Sequence, residues 1–156
     1  MERKQSTLEN MGVENLFGGV YKNKKVLITG NGGFKGSWLT YWLSEMGAEV
    51  PGVSLENEND LNHISLINPS CKSIVQDITD RNRLIKVIKE ADPEIIFHLA
   101  AQSLVRDSYT NPYDTYMTNV MGTVNVLDAG RQLTNLKAIV IVTSDKCYDN
   151  KEWYWG

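Results

Sequence analysis

Cysteine is scarce: Cys71 and Cys147 are the only two in 156 residues, far apart and without a second thiol or a histidine beside either. That spacing excludes a disulfide framework and a zinc site built from paired ligands, so no metal is expected. Long apolar runs are missing too, and none approaches the roughly 20 residues a bilayer span needs. The first 25 residues are polar and mixed in charge, without the apolar core of a secretory signal. Basic surplus is absent: 16 Lys and Arg against 19 Asp and Glu leave a net charge of -3, with no cationic stripe to meet nucleic acid. A soluble cytoplasmic protein without nucleic-acid or membrane partners is the expectation.

What is present is enough for a core. The chain is 42% hydrophobic and 22% charged, and its length suits one domain of about 100–200 residues. Residues 1–22 show little periodicity and read as an N-terminal extension in which Leu16, Phe17 and Tyr21 lie against the body. From residue 23 onward the pattern is regular. KKVLITG is a short apolar run closed by glycine, the form of a strand buried on both faces. FKGSWLTYWLSEMG follows, with Trp38, Leu39, Trp42, Leu43 and Met46 at helical spacing and Gly47 as its stop.

AEVPGVSL reads as a second strand, although Pro51 removes a ladder donor. After a polar loop, KSIVQD is a third strand, and DRNRLIKVIKEAD is an amphipathic helix capped by Asp80. EIIFHLAA and KAIVIVTS are the fourth and fifth strands. Between them one long helix spans residues 112–133, with Tyr113, Tyr116, Val120, Val124 and Leu127 three and four apart and few charges. Such a helix is either covered within its own subunit or packed on a partner, the latter implying a homodimer. Alternating strands and helices mean parallel strands with crossover helices: an α/β, Rossmann-type, doubly wound parallel sheet, truncated after about five strands.

Gly30, Gly33 and Gly36 form G-x-x-G-x-x-G between the first strand and its helix. Glycine permits a positive φ at the turn and lets backbone approach a pyrophosphate, while the helix N-terminus offers unpaired N–H groups. This context, more than the glycines alone, indicates dinucleotide binding, with Phe34 and Lys35 inside the turn. An acidic ribose acceptor is not evident at the end of the second strand, where Ser54 stands. Lys35 suits a 2′-phosphate, so NADP stays open beside NAD. Asp77, with Ile78 beside it, can accept from an adenine amino group or serve the following helix start. Leu99, Ala100 and Ala101 end the fourth strand with side chains small enough for a cofactor to lie close. His98 reads as a residue bonded within the strand, since no second ligand has metal spacing to it.

These residues resemble the extended short-chain dehydrogenase/reductase superfamily, through T-G-x-x-G-F-x-G at 29–36, D-I-T-D at 77–80, H-L-A-A-Q-S at 98–103 and N-x-x-G-T at 119–123. Within it they are most similar to the nucleotide-sugar 4,6-dehydratases, and to the CDP-glucose branch through GFKGSWL, GVSL and above all TSDKCYDNKEW at 143–153. The resemblance implies NAD as cofactor and a nucleotide-sugar as substrate, converted to a 4-keto-6-deoxy sugar in a pathway of the kind that builds O-antigen sugars. It implies that Ser144 bonds the sugar 4-oxygen, that Asp145 protonates the departing 6-hydroxyl and that Lys146 assists removal of the C5 proton. Thr143 joins the cofactor site, Asn119 shapes it through backbone contacts, and Gln102 and Ser103, with Arg106 beyond them, face either the sugar or the start of a surface helix.

The chemistry fits those residue types, because elimination next to a ketone needs a base at C5 and an acid at the C6 oxygen. The Y-x-x-x-K pair of the superfamily does not occur after the fifth strand: Tyr148 has Glu152 four residues on. The expectation is therefore an N-terminal piece of a longer enzyme, inactive by itself, its fifth strand an exposed edge.

Overall fold

In the computed structural model, residues 12–56, 63–67, 71–144, 147–149 and 151–154 are described. A kinked pair of 3₁₀ turns over Val13–Gly19 leads in. Five strands follow, β1 (Val26–Thr29), β2 (Pro51–Ser54), β3 (Lys72–Val75), β4 (Ile95–His98) and β5 (Ala138–Ile141), forming one parallel sheet in the order β3-β2-β1-β4-β5. The helices are α1 (Phe34–Glu45), α2 (His63–Ile67), α3 (Arg81–Ala91), α4 (Val105–Thr110), α5 (Pro112–Tyr116) and α6 (Gly122–Gly130), with a π turn over Met117–Met121 joining α5 to α6. The order reverses between β1 and β4, the doubly wound arrangement read from the sequence.

All four residues of β1 are buried. Because side chains alternate, Val26 and Ile28 enter one core with Leu43, Met46 and Val50, on which Leu16 and Tyr21 also pack. Leu27 enters the other with Val53, Leu84, Ile88, Ile96, Val126 and Ala129. Pro51 does not demote β2 to an edge: it is the strand's first residue, paired in register with Lys72, where the missing donor is tolerated. Asp80 caps α3 as expected, its side chain accepting from the Arg83 N–H at 3.2 Å.

Several expectations need revision. The face of α1 turned to the sheet is small and polar, with Gly36, Ser37, Thr40 and Leu43 buried, while Trp38 and Trp42 are about half exposed at 50% and 45%. The hydroxyls on that face have partners: Ser37 Oγ donates to Phe34 O at 2.9 Å and lies 2.5 Å from His63 Nδ1 of α2, and Thr40 Oγ1 donates to Gly36 O at 2.7 Å. A helix can therefore lie close to a sheet on small residues and leave its indoles outside. The helix expected over residues 112–133 is interrupted by the π turn and ends at Gly130. The short helix α2 lies in a segment expected to be a polar loop, and α4 is a surface helix where the segment after β4 left that reading open beside a sugar-facing one. Phe17 stays largely exposed, its ring edge-on to Tyr21 and Trp42.

Leu84 is fully buried between α3 and the sheet. Leu84→Ala should lower unfolding stability by about 2–5 kcal/mol, the range for a leucine truncated in a packed core. Urea unfolding followed by far-UV circular dichroism measures it, and a loss below about 1 kcal/mol would mean that α3 is loosely docked.

Candidate dinucleotide site

The turn after β1 is fixed by backbone contacts. Gly30 has φ +76° and its N–H donates to Val53 O at 2.6 Å, tying the turn to β2. The Gly33 N–H closes the turn on Gly30 O at 3.0 Å. A Cβ on Gly30 would stand 2.7 Å from the Ala100 nitrogen, and one on Gly36 would collide with Gly30 O. Gly33 is different, since its nearest neighbour would be Gly30 O at 3.3 Å and the residue faces solvent. Its freedom from a side chain leaves space above the turn for a ligand. Gly33 is also the N-cap of α1 and supplies no capping side chain, so the first N–H groups of a 12-residue helix and its positive dipole end point past the turn.

These elements open a cleft of about 630 Å³ at the C-terminal ends of the strands, beside the point where the sheet order reverses. Gly30, Gly33, Phe34, Lys35 and Gly36 form one side of it. Ser54, Asp77 and Ile78 form the β2 and β3 end, and Leu99, Ala100, Ala101, Ser103 and Thr143 the β4 and β5 end. Asp77 is held by accepting the Thr79 N–H at 2.8 Å through Oδ1, which leaves helix capping to Asp80. Glu56 and Gln76 border the cleft as well; neither the glycine pattern nor the strand-end rule singles them out. Glycine positions that a Cβ would fill, an uncapped helix start and a cleft of this size suit a dinucleotide.

Other expected residues lie elsewhere. Gln102 turns its amide inward: its Nε2 donates to Leu104 O at 3.1 Å and Thr115 Oγ1 at 3.1 Å, and its Oε1 accepts from Leu104 N. Asn119 is outside the cleft lining and pairs with Gln102 through both amide ends, Oδ1 accepting from Gln102 N at 2.8 Å and Nδ2 donating to Gln102 O at 2.9 Å. Arg106 is exposed on α4. Ser144 is exposed just beyond β5, while Asp145 and Lys146 fall outside the described residues.

The sequence reading missed Asn125. Its Nδ2 donates to Ile78 O at 2.9 Å and Thr79 O at 3.3 Å, holding the loop after β3 as Asn119 holds the loop after β4. Two asparagines six positions apart on a helical segment were the available signal, and it is weak without the fold. Among the described residues no group of three or more His, Cys, Asp or Glu forms a metal cluster, and no helix is long and apolar enough to cross a membrane.

Fold and cleft define the chain as a doubly wound parallel α/β domain of the Rossmann type. A family model described as GDP-mannose 4,6 dehydratase matches residues 27–152, and the chain belongs to that family. It is 51% identical to a CDP-glucose 4,6-dehydratase of Salmonella typhimurium over 138 residues, which are 87% of this chain and 38% of the relative. The chain thus spans less than half the length of the curated relatives it matches. Among solved structures, MoeE5 in complex with UDP-glucose and NAD is similar at 28% identity and a TM-score of 0.67, covering 82% of this chain and 39% of that one. A UDP-glucose 4-epimerase from Stenotrophomonas maltophila shares the fold at a TM-score of 0.74 and 23% identity, over 86% of this chain and 41% of its own.

His98 lies against this site. Burial holds its imidazole below the ordinary value of 6.5, so the unfolded chain takes up a proton on acidification before the folded one does. Its contribution to stability is therefore complete above about pH 6.5 and declines as the pH falls through and below that value. The urea midpoint should drop between about pH 7.5 and pH 5.5, and His98→Gln should remove part of that slope. An unchanged slope in the variant would show that other groups carry the acid sensitivity.

Proposed function

We propose that the chain is the cofactor-binding part of a nucleotide-sugar 4,6-dehydratase, with CDP-glucose as substrate and NAD as cofactor. The observation that carries this reading is the cleft itself, where the uncapped start of α1 and the glycine turn face the ends of β2, β3 and β4. The 51% identity to a CDP-glucose 4,6-dehydratase supports the choice of substrate. MoeE5, solved with NAD, supports NAD over NADP, as does Glu56 at the β2 end, where a 2′-phosphate would meet a carboxylate.

In this reading the turn from Gly30 to Gly36 and the N–H groups of α1 take the pyrophosphate, with Lys35 beside them. Asp77 and Ile78 receive the adenine end, and Ala100 and Ala101 let the dinucleotide lie close over β4. NAD, when bound, supplies a reversible hydride store for the sugar. Ser144 would hydrogen-bond the sugar 4-oxygen, and Asp145 would protonate the departing 6-hydroxyl. Lys146 would act at C5, as a base if its ammonium is destabilised by desolvation or a nearby cation, otherwise as a positive charge that stabilises the enolate. The base for the 4-hydroxyl is not supplied by this segment, because no Y-x-x-x-K follows β5. Residues 1–22 then form an extension and 23–156 the cofactor-binding unit. The exposed stripe of Tyr113, Tyr116, Val120, Val124 and Leu127 along α5, the π turn and α6 suits self-association of the whole enzyme, since an apolar face this long is costly in water.

A calorimetric titration tests the reading. NAD should bind and CDP-glucose alone should not show comparable heat. Gly33→Asp should weaken NAD about tenfold or more, because it would present a carboxylate to the phosphates. A Cβ there meets Gly30 O at 3.3 Å, a contact that a small shift of the turn accommodates, and a cooperative unfolding curve of the variant checks that it is folded. Incubation with NAD and CDP-glucose should yield no 4-keto sugar. NAD binding without turnover fits the proposal, whereas product formation would remove the need for Y-x-x-x-K, and equal affinity in the Gly33 variant would remove the phosphate from this turn.

A further inference from the structure

A buried polar chain runs from the floor of the cleft, along the ends of β1 and β4, to the π turn. The Ala100 N–H donates to Thr29 Oγ1 at 3.3 Å. Thr29 Oγ1 lies 2.6 Å from His98 Nδ1, and His98 Nε2 lies 3.0 Å from Thr123 Oγ1. Thr123 Oγ1 then donates to the carbonyl of Asn119 at 2.7 Å. Thr29 and His98 are fully or almost fully buried, at 0% and 2% exposure.

The direction of each bond follows from proton counting. A carbonyl only accepts, so the single hydroxyl proton of Thr123 is committed to Asn119 O, and Thr123 Oγ1 must accept from His98 Nε2–H. In a neutral imidazole the other nitrogen is then bare and accepts from the Thr29 hydroxyl. Thr29 Oγ1 in turn has a lone pair for the Ala100 N–H. Every member is satisfied in one arrangement; the opposite tautomer would set two lone pairs against each other between Nε2 and Thr123 Oγ1 and would take from the Thr29 hydroxyl its acceptor. Burial disfavours the charged ring and so keeps it able to accept.

Both ends of the chain border the cleft. Ala100 lines it directly, and Thr118, which precedes Asn119 in the π turn, lines it from the other wall. Asn119 also clamps Gln102. We propose that His98, held as its Nε2–H tautomer, is a positioning residue that fixes the β4 wall of the cleft against the π turn, so that the two walls adopt one spacing before a dinucleotide enters. The part of this inference that concerns cofactor affinity rests on the nucleotide-binding reading above; the tautomer and the coupling between the walls do not.

Thr123→Val tests it, because it is nearly isosteric, leaves Thr29 and His98 intact and changes a residue that does not line the cleft. With ¹⁵N-labelled protein, the parent should show one imidazole tautomer, protonated at Nε2. The variant should lose that single tautomer, move the Ala100 amide resonance and bind NAD about two- to tenfold more weakly, the span expected for one neutral hydrogen bond. Met46→Ala, in the other core at the C-terminal end of α1, the end away from the glycine turn, is the control: it should lose stability while keeping the tautomer and keeping NAD affinity within about twofold of the parent. A parent ring protonated at Nδ1 would overturn the proposal. So would a folded Thr123→Val protein whose Ala100 amide and NAD affinity are unchanged, or a Met46→Ala protein that reproduces the loss of affinity. If the parent does not bind NAD at all, the nucleotide reading fails, and the tautomer and the Ala100 shift still decide this inference.

Discussion

Backbone must touch backbone where β1 ends. The turn from Gly30 to Gly36 is squeezed between the first turn of α1 on one side and the Leu99–Ala100 segment on the other, so tightly that a single Cβ at Gly30 or Gly36 has nowhere to go. That contact sets the height of α1 above the sheet and aims its uncapped N–H groups along the strand ends. It also explains why α1 buries Gly36, Ser37 and Thr40: a helix brought this close cannot place an indole underneath. Trp38 and Trp42 then lie on the outside, while Leu43 and Met46, further along the helix, still reach the core. Local propensity for an apolar stripe loses to the steric demand of the turn.

This is also where the sequence was most and least legible. Strand existence was plain, because short segments rich in Val and Ile that alternate with helical patterns have little alternative in an α/β chain. The glycine spacing located the cleft, and most of the residues read as cofactor-facing do border it. The spacing of Trp38, Leu39, Trp42, Leu43 and Met46 marked the helix, but periodicity alone does not say that Leu43 and Met46 are inward with Gly36, Ser37 and Thr40 while the two indoles stay half exposed. The π turn was unreadable for a related reason. One extra residue in a helix leaves no compositional trace, and its result, Asn119 turned to bond Gln102 and Thr123 turned to bond His98, depends on partners that lie 17 and 25 residues away along the chain.

Asparagine and threonine do on this helix what apolar residues cannot. The loops after β3 and β4 carry the strand-end residues of the cleft, and such loops have unpaired carbonyls and amides that must be satisfied if they are to stay in one conformation. Asn125 takes the carbonyls of Ile78 and Thr79; Asn119 takes both polar groups of Gln102. Between them Gly122 lets the helix approach so near that a Cβ there would stand only 2.5 Å from Ile78 Cδ1. An amide is a poor helix former, but a helix packed this closely against two loops needs short side chains that offer a donor and an acceptor at once.

Charge is distributed by the same logic. At the end of the sheet away from the cleft, Glu94 bridges Lys137 and Lys24 at 2.6 and 2.9 Å, and both ammonium groups hold its carboxyl below the usual carboxylate range. Asp128 on α6 likewise takes Arg131 and Arg81, fastening α3 to α6. Exposed pairs of this kind add little stability each, yet they leave those surfaces with their charges matched. The cleft end is built the other way. The first N–H groups of α1 have no capping side chain, and Gln76 Oε1, buried beside the cleft, has no hydrogen-bond partner. An unpaired buried acceptor costs about 1–3 kcal/mol, several times the worth of an exposed ion pair. A chain that satisfies its loops with two asparagines and its buried histidine with two threonines leaves the N–H groups at the start of α1 uncapped and two buried acceptors without partners among the described residues, Gln76 Oε1 beside the cleft and Asn31 Oδ1 in the glycine turn, so its unmet hydrogen bonding gathers around one end of one sheet.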